Sequence, residues 1–299
     1  MAHSFLRGVY TPLITPFRDG VIDYAAFASL VDWNINNGAH GVVVGGTSGE
    51  PAALSVTERE NLLRVAISIA RRRAHVIAAT GAASFADTAQ LTEHATQAGA
   101  SAVLVVTPIY AKPSQTGMKA YYEEIARRTD RPLLVYQITS RTGVTLSLDS
   151  LVELAGRIPN LVGMKLSDND RDYLKGASKQ LGENFRIFSG LFDISWQRLD
   201  DGACGFIAAL SNVIPGAVRD IYDAASTGKK GAAANGYERI ANLIMTGALD
   251  VNPVPVKYMA WRMGLIPSPE CRLPLVPMEE RPVARIEKAL VSAGLVSPS

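Results

Sequence analysis

The sequence predicts an α/β chain folded as a (β/α)8 TIM barrel with a C-terminal helical extension. Three observations carry that prediction. Eight strand–helix units follow one another between residues 8 and 225. Their strand segments are apolar on both faces, as parallel strands covered by helices must be. No Gly-x-Gly-x-x-Gly turn follows the first segment, which disfavours a doubly wound open sheet, the other common arrangement of such units.

Strands are expected at 8–14, 41–45, 75–79, 102–106, 132–136, 161–166, 186–190 and 205–209, each a short apolar run between turn formers. Helices are expected at 24–37, 56–73, 84–97, 114–128, 147–157, 171–181 and 215–225, where apolar residues recur at helical spacing. Ser55 with Glu58 three residues later fits a capping box. Beyond residue 228, three more helical stretches at 231–246, 254–264 and 279–293 read as an appendage packed on the barrel. The expected division is therefore a catalytic barrel over 1–228 and a helical appendage over 229–299.

Composition narrows the class. With 47% hydrophobic and 19% charged residues, the chain matches an ordinary globular protein. A net charge of +2 leaves no electrostatic footprint for nucleic acid. Cys204 and Cys271 are far apart and suit a reducing compartment rather than a disulfide framework. The first residues lack the apolar core of a signal peptide, and no apolar run approaches the length of a membrane span. A cytoplasmic protein without membrane or nucleic-acid partners is expected.

In this fold, chemistry sits at the C-terminal ends of the strands and in the loops after them. The sixth strand carries Lys165 within Leu161-Val162-Gly163-Met164-Lys165-Leu166. A lysine is rarely buried unless something pairs with it or uses it. Desolvation disfavours the charged form of an amine and so favours the neutral nucleophile that attacks a carbonyl. The alternative is a lysine that snorkels from a strand end into water. The loop Gly45-Gly46-Thr47-Ser48-Gly49-Glu50 combines glycines, hydroxyls and amides suited to cradling an anion, or it is a plain strand-to-helix turn. Tyr136 ends the fifth strand as either a capped core phenol or a general acid/base. Arg141, in the loop that follows, can fork onto a carboxylate or pair with a nearby acid. His3, His40, His75 and His94 fall at no two strand ends, so neither a metal site nor a cofactor is expected. A buried amine, a phenol, paired hydroxyls and an arginine fit imine catalysis on an α-keto acid.

These residues carry a resemblance. Gly8-Val9-Tyr10-Thr11-Pro12, Gly46-Thr47-Ser48-Gly49-Glu50, Tyr136…Arg141-Thr142-Gly143, Gly163-Met164-Lys165 and Asn252-Pro253-Val254-Pro255-Val256-Lys257 together resemble the dihydrodipicolinate synthase / N-acetylneuraminate lyase family of class I aldolases. The resemblance implies that Lys165 forms a Schiff base with pyruvate and that Tyr136 shuttles protons. It implies that Thr47 and Ser48, with Gly46 beside them, bind the pyruvate carboxylate, and that Ile207 lines that pocket through its backbone. It further implies that Arg141 binds the carboxylate of a second substrate, and that Tyr110 completes the relay in a neighbouring subunit. The implied partners are small keto acids and aldehydes, within a homo-oligomer that is a dimer or a dimer of dimers (a homotetramer).

Departures from the family pattern are Ser48 for threonine, Gln137-Ile138-Thr139 for Asn-Val-Pro, Leu166 for glutamate and Ile109 for the first of two tyrosines. They preserve the imine groups and are expected to alter the second-substrate pocket. Condensation of pyruvate with aspartate semialdehyde, as in the dihydrodipicolinate synthase branch, is the leading expectation. A 2-keto-3-deoxy sugar acid aldolase or dehydratase is the alternative on the same scaffold, and a non-catalytic small-acid-binding barrel the alternative from another class.

Overall fold

A computed structural model describes residues 3–191, 193 and 195–298. Eight parallel strands close into a barrel: β1 Gly8–Pro12, β2 Gly41–Val44, β3 His75–Ala79, β4 Ala102–Val106, β5 Leu133–Gln137, β6 Leu161–Leu166, β7 Arg186–Ser189 and β8 Gly205–Ile207. Each strand pairs with its sequence neighbours, and β1 closes the ring against β8 through Gly8↔Gly205 and Tyr10↔Ile207. The expected (β/α)8 barrel and its C-terminal helices are present.

The period-2 alternation along each strand divides the core in two. Tyr10, Val43, Ile77, Leu104, Leu134, Tyr136, Phe188 and Ile207 fill the barrel interior. Val9, Val42, Val103, Val135, Met164 and Leu166 face the helices outside. Lys165 lies between Met164 and Leu166, so this alternation turns it inward. The helices begin where the sequence supplies a cap. Ser55 and Glu58 form the reciprocal capping box, and Ser84, Ser114, Ser147 and Asp170 each accept an amide of the first turn.

Two features depart from the regular strand–helix alternation. Between β7 and β8 the described residues form only a three-residue 3-10 helix, Trp196–Arg198, in place of a crossover α-helix. The connection is short, and its polar groups are spent on the preceding helix and the loop leading into it: Asp201 takes a bidentate contact from Arg171 at 2.6 and 2.8 Å, and Arg198 bonds Asn169. In addition, a two-stranded hairpin, Phe17–Arg18 with Val21–Ile22, turns through Asp19 and Gly20 at φ 52° and 77°. Such φ values are those a tight hairpin turn requires. No helix among the described residues is long and apolar enough to cross a membrane.

Candidate active site

The register of neighbouring strands brings the amine and the phenol together. Tyr136 on β5 pairs directly with Lys165 on β6, so both side chains emerge at the same height inside the barrel. Lys165 is 5% exposed, and its Nζ lies 4.2 Å from the centroid of the Tyr136 ring. Tyr136 Oη shares a 3.1 Å hydrogen bond with Thr47 Oγ1. Burial alone would raise the Tyr136 phenol. The nearby Lys165 charge and hydrogen bonds with Thr47, Ser167 and Lys165 outweigh burial and hold it below its usual value.

The loop after β2 is a 3-10 turn over Thr47–Gly49, closed by Gly49 N donating to Gly46 O and Glu50 N donating to Thr47 O. The amides of Gly49 and Glu50 are therefore used inside the turn, and the loop faces the cavity with its hydroxyls. Glu50 leaves in the left-handed region at φ 55° and turns its carboxylate away from the cavity. There it meets Lys257 Nζ at 2.5 Å, both side chains essentially fully buried. Its other oxygen accepts from Arg272 N at 3.0 Å, and Lys257 Nζ sits 4.1 Å from the Phe17 ring centroid. Burial lowers the Lys257 amine, against the opposing pull of Glu50.

An inner cavity of about 180 Å³ is lined by Thr47, Ser48, Tyr136, Arg141, Lys165, Ser167, Gly190, Ile207 and Asn252, among others. It opens toward an outer cavity of about 280 Å³ that shares Thr47, Tyr136, Ile138, Arg141 and Asn252. Gly46 lines the outer cavity, whose remaining wall is mainly apolar: Ala52, Leu104, Val106, Ile109 and Leu275. No carboxylate lines either space, whereas two cations, Lys165 and Arg141, do. Such a site favours anionic ligands. Gly190 is what lets β7 approach the amine. A Cβ there would come within 2.5 Å of Lys165 Cε and closer still to Ser167 Oγ.

Arg141 stands on a short helical turn, Thr139–Thr142, and donates from Nη2 to Asn252 O at 3.2 Å. It forms no ion pair among the described residues, so the alternative of an arginine neutralised by a nearby acid does not hold. Tyr110 is 93% exposed on the loop after β4, with φ 70°, and lines neither cavity of its own chain. Every other expected residue is drawn to one end of the barrel.

The departures around the second-substrate pocket reach it less than expected. Gln137 is buried in the wall, its Oε1 accepting from Leu146 N at 3.0 Å. Thr139 donates to Asp168 from its amide (2.8 Å) and its hydroxyl (2.6 Å). Leu166 packs in the outer core. Ile138 and Ile109 face the outer cavity, and Ser48 the inner one.

Sequence reasoning missed Ser167, which donates to Gly190 O at 3.0 Å, and the functional placement of Asn252. Asn252 lies beyond the barrel, yet it lines both cavities, so the site is not confined to residues 1–228. The signal available was Pro253 and Pro255 around a helix start, which fixes where that helix, Val254–Arg262, enters.

Among the described residues no group of His, Cys, Asp and Glu is arranged to hold a metal. Comparison with known proteins then gives a consistent result. The model of the "Dihydrodipicolinate synthetase family" matches residues 5–293. A 4-hydroxy-tetrahydrodipicolinate synthase from Phenylobacterium zucineum is 37% identical over 298 residues, covering 99% of this chain and all of the relative. One from Fervidobacterium nodosum is 34% identical over 290 residues, covering 97% of this chain and 99% of the relative. The crystal structure of dihydrodipicolinate synthase from Aquifex aeolicus superposes with a TM-score of 0.94 at 34% identity, covering 97% of this chain and 98% of that one. A chloride-inhibited dihydrodipicolinate synthase from Acinetobacter baumannii, complexed with pyruvate, superposes with a TM-score of 0.93 at 35% identity, covering 97% and 100%.

Proposed function

The chain belongs to the dihydrodipicolinate synthetase family, and on that premise we propose that it condenses pyruvate with aspartate semialdehyde through an imine on Lys165. It is a class I, Schiff-base-forming lyase of the dihydrodipicolinate synthase kind. One observation supports Lys165 as the nucleophile above all others. A single buried amine stands beside a phenol and paired hydroxyls in a small cavity without a carboxylate.

The chemistry follows from those groups. Lys165 Nζ passes its proton to the Tyr136 oxygen and attacks the ketone carbon of pyruvate, and the carbinolamine loses water as Tyr136 returns a proton to the departing oxygen. The protonated imine then draws electrons from the adjacent C–H bond, and loss of that proton leaves an enamine. The enamine carbon attacks the aldehyde carbonyl, and the new alkoxide takes a proton through the Tyr136 relay. Water cleaves the imine and returns the free amine. Thr47 and Ser48 hold the keto-acid carboxylate, with Gly46 and Ile207 shaping the space around it. Arg141, without an acid partner, holds the carboxylate of the aldehyde by charge-assisted hydrogen bonds.

Tyr110 belongs to the relay of a second copy in a homo-oligomer, and its 93% exposure beside the apolar Ile109 supports that placement. A monomeric dihydrodipicolinate synthase variant is among the structural relatives. Sedimentation of the native protein and of Tyr110→Phe, each with turnover measured, separates the cases. A fully active monomer refutes the shared relay. The barrel over 1–228, its helical appendage and a cytoplasmic setting are part of the same proposal.

Borohydride reduction in the presence of pyruvate tests the core of it. The expected product is a stable adduct on the peptide containing Lys165, absent in Lys165→Ala. No adduct, or an adduct on Lys257, overturns the mechanism. A panel of aldehydes with pyruvate, run beside cleavage of keto-deoxy sugar acids, then identifies the second substrate.

A further inference from the structure

We propose that Asn252 is a positioning residue that couples the two halves of the site. Its side-chain amide sets the Ser48 hydroxyl on the keto-acid side, and its main-chain carbonyl sets Arg141 on the aldehyde side. The proposal rests on the assignment of the inner cavity to the keto acid made above.

Three contacts carry it. Asn252 Nδ2 donates to Ser48 Oγ at 3.1 Å, and Ser48 Oγ donates back to Asn252 Oδ1 over a longer 3.4 Å. Asn252 O accepts from Arg141 Nη2 at 3.2 Å. The residue lines both cavities and is the only polar side chain from beyond the barrel to do so among the described residues. Its position is fixed from behind. Val254 N donates to Val251 O at 2.9 Å, Lys257 N donates to Pro253 O at 2.9 Å, and the buried Lys257–Glu50 pair follows one turn later. Ser48 is itself almost fully buried, so its hydroxyl has little water to orient it. With a donor held on Ser48 Oγ, the hydroxyl proton can turn from the long Oδ1 contact to an anion in the cavity, whose charge-assisted hydrogen bond is the stronger. An amide can supply that donor. A carboxylate can only accept, so it would draw the Ser48 proton away from the keto acid and add a like charge beside it.

This predicts a specific behaviour for Asn252→Asp, which keeps shape and main chain and so keeps the Arg141 contact. The charged and titratable groups facing position 252 are Lys165, Arg141 and the Tyr136 phenol, with the Lys257–Glu50 pair behind it. At neutral pH the pyruvate KM should rise about 10–100-fold, matching loss of one hydrogen bond to a charged group at about 1.5–3 kcal/mol. In Asn252→Ala, which adds no charge beside Arg141, the KM for the aldehyde should stay within about threefold. As the buffer is acidified through the carboxyl range, the introduced acid regains a proton and can donate again, so the pyruvate KM should fall back toward the parent's. Asn252→Ala should raise the pyruvate KM without that pH dependence. Ser48→Ala combined with Asn252→Asp should be no worse than the worse single variant, because both changes remove one unit.

The experiment measures both KM values, as ratios to the parent's, from about pH 3.5 to 8, so that it spans the carboxyl range, with Tm and borohydride trapping in parallel. A pyruvate KM unchanged in both Asn252 variants overturns the proposal. Equal rises in both KM values of Asn252→Ala with a lowered Tm also overturn it, in favour of a purely structural role. If the parent traps pyruvate on Lys165 and the variants behave like it, only the Asn252 assignment fails. If the parent traps nothing, the imine assignment fails and takes this one with it.

Discussion

Removal of the Lys257 ammonium gives the most quantitative test of how the site is held. Its Nζ and the Glu50 carboxylate are 2.5 Å apart, with side-chain exposures of 0% and 1%. Lys257→Met keeps the bulk and deletes the charge, leaving a buried carboxylate with Arg272 N as its remaining donor. Breaking a buried pair from one side typically costs about 3–5 kcal/mol. The retained Arg272 hydrogen bond places the expected loss at the lower end, about 3 kcal/mol. The cation over the Phe17 ring, at 4.1 Å, is lost in the same step. At roughly 2 °C per kcal/mol for a chain of this size, Tm should fall by about 6 °C, read by calorimetry at pH 7. Glu50→Gln added to Lys257→Met removes the stranded charge while keeping an acceptor for Arg272 N, and should recover at least half of the loss. A fall below about 2 °C, or a double variant no better than the single, would show that the pair is not the clamp described.

Three further outcomes follow from the geometry. Gly190→Ala should abolish imine trapping while leaving the fold intact by circular dichroism, because the added methyl occupies space now held by Lys165 Cε and Ser167 Oγ; undiminished trapping would refute the close approach. Arg141→Ala should weaken use of a carboxylated aldehyde by about 10–100-fold and of an uncharged aldehyde little, since only the former accepts its charge-assisted hydrogen bonds; equal losses would assign it to propping the loop. The alkaline limb of kcat/KM should lie below the ordinary phenol value of about 10, because the phenol of Tyr136 is held down. Thr47→Val removes one hydrogen bond that holds it there, so the limb should move to higher pH, and an unmoved limb would dissociate Tyr136 from it.

The barrel was legible because its signal is repeated. Eight apolar runs in series tolerate errors of a residue or two at each end, and 75–79 and 102–106 coincide with their strands. No helical spacing stands out in the sequence after β7, and the described residues there form only the short turn Trp196–Arg198. The Asp19-Gly20 hairpin carried a recognisable turn dipeptide between short apolar flanks, but strands of two residues leave no periodicity to detect. Lys165 and Tyr136 were readable because each interrupts or ends an apolar strand, and Thr47 and Ser48 because they stand in the glycine-rich loop just after one. Asn252 and the Glu50–Lys257 pair were not, since polar residues near a helix start look alike until the fold brings them to partners more than 200 positions away. Whether Gln137 and Thr139 faced the pocket was equally undecidable from sequence, because one residue of register decides it.

The 204-residue separation between Ser48 and Asn252 has a consequence during synthesis. The last barrel strand ends at Ile207, so about 45 further residues must be added before Asn252 exists, and Lys257 and Arg272 come later still. At about 5–20 residues per second that interval lasts on the order of 2–9 s. During it a nascent chain can own all eight strands, with Lys165, Tyr136 and the hydroxyl loop among them, while Ser48, Arg141 and Glu50 still lack the contacts that order them. A stalled or prematurely terminated product ending in that interval would carry the nucleophile without the frame that aims it. Competence thus arrives near the end of translation, well after the barrel's own strands have been made.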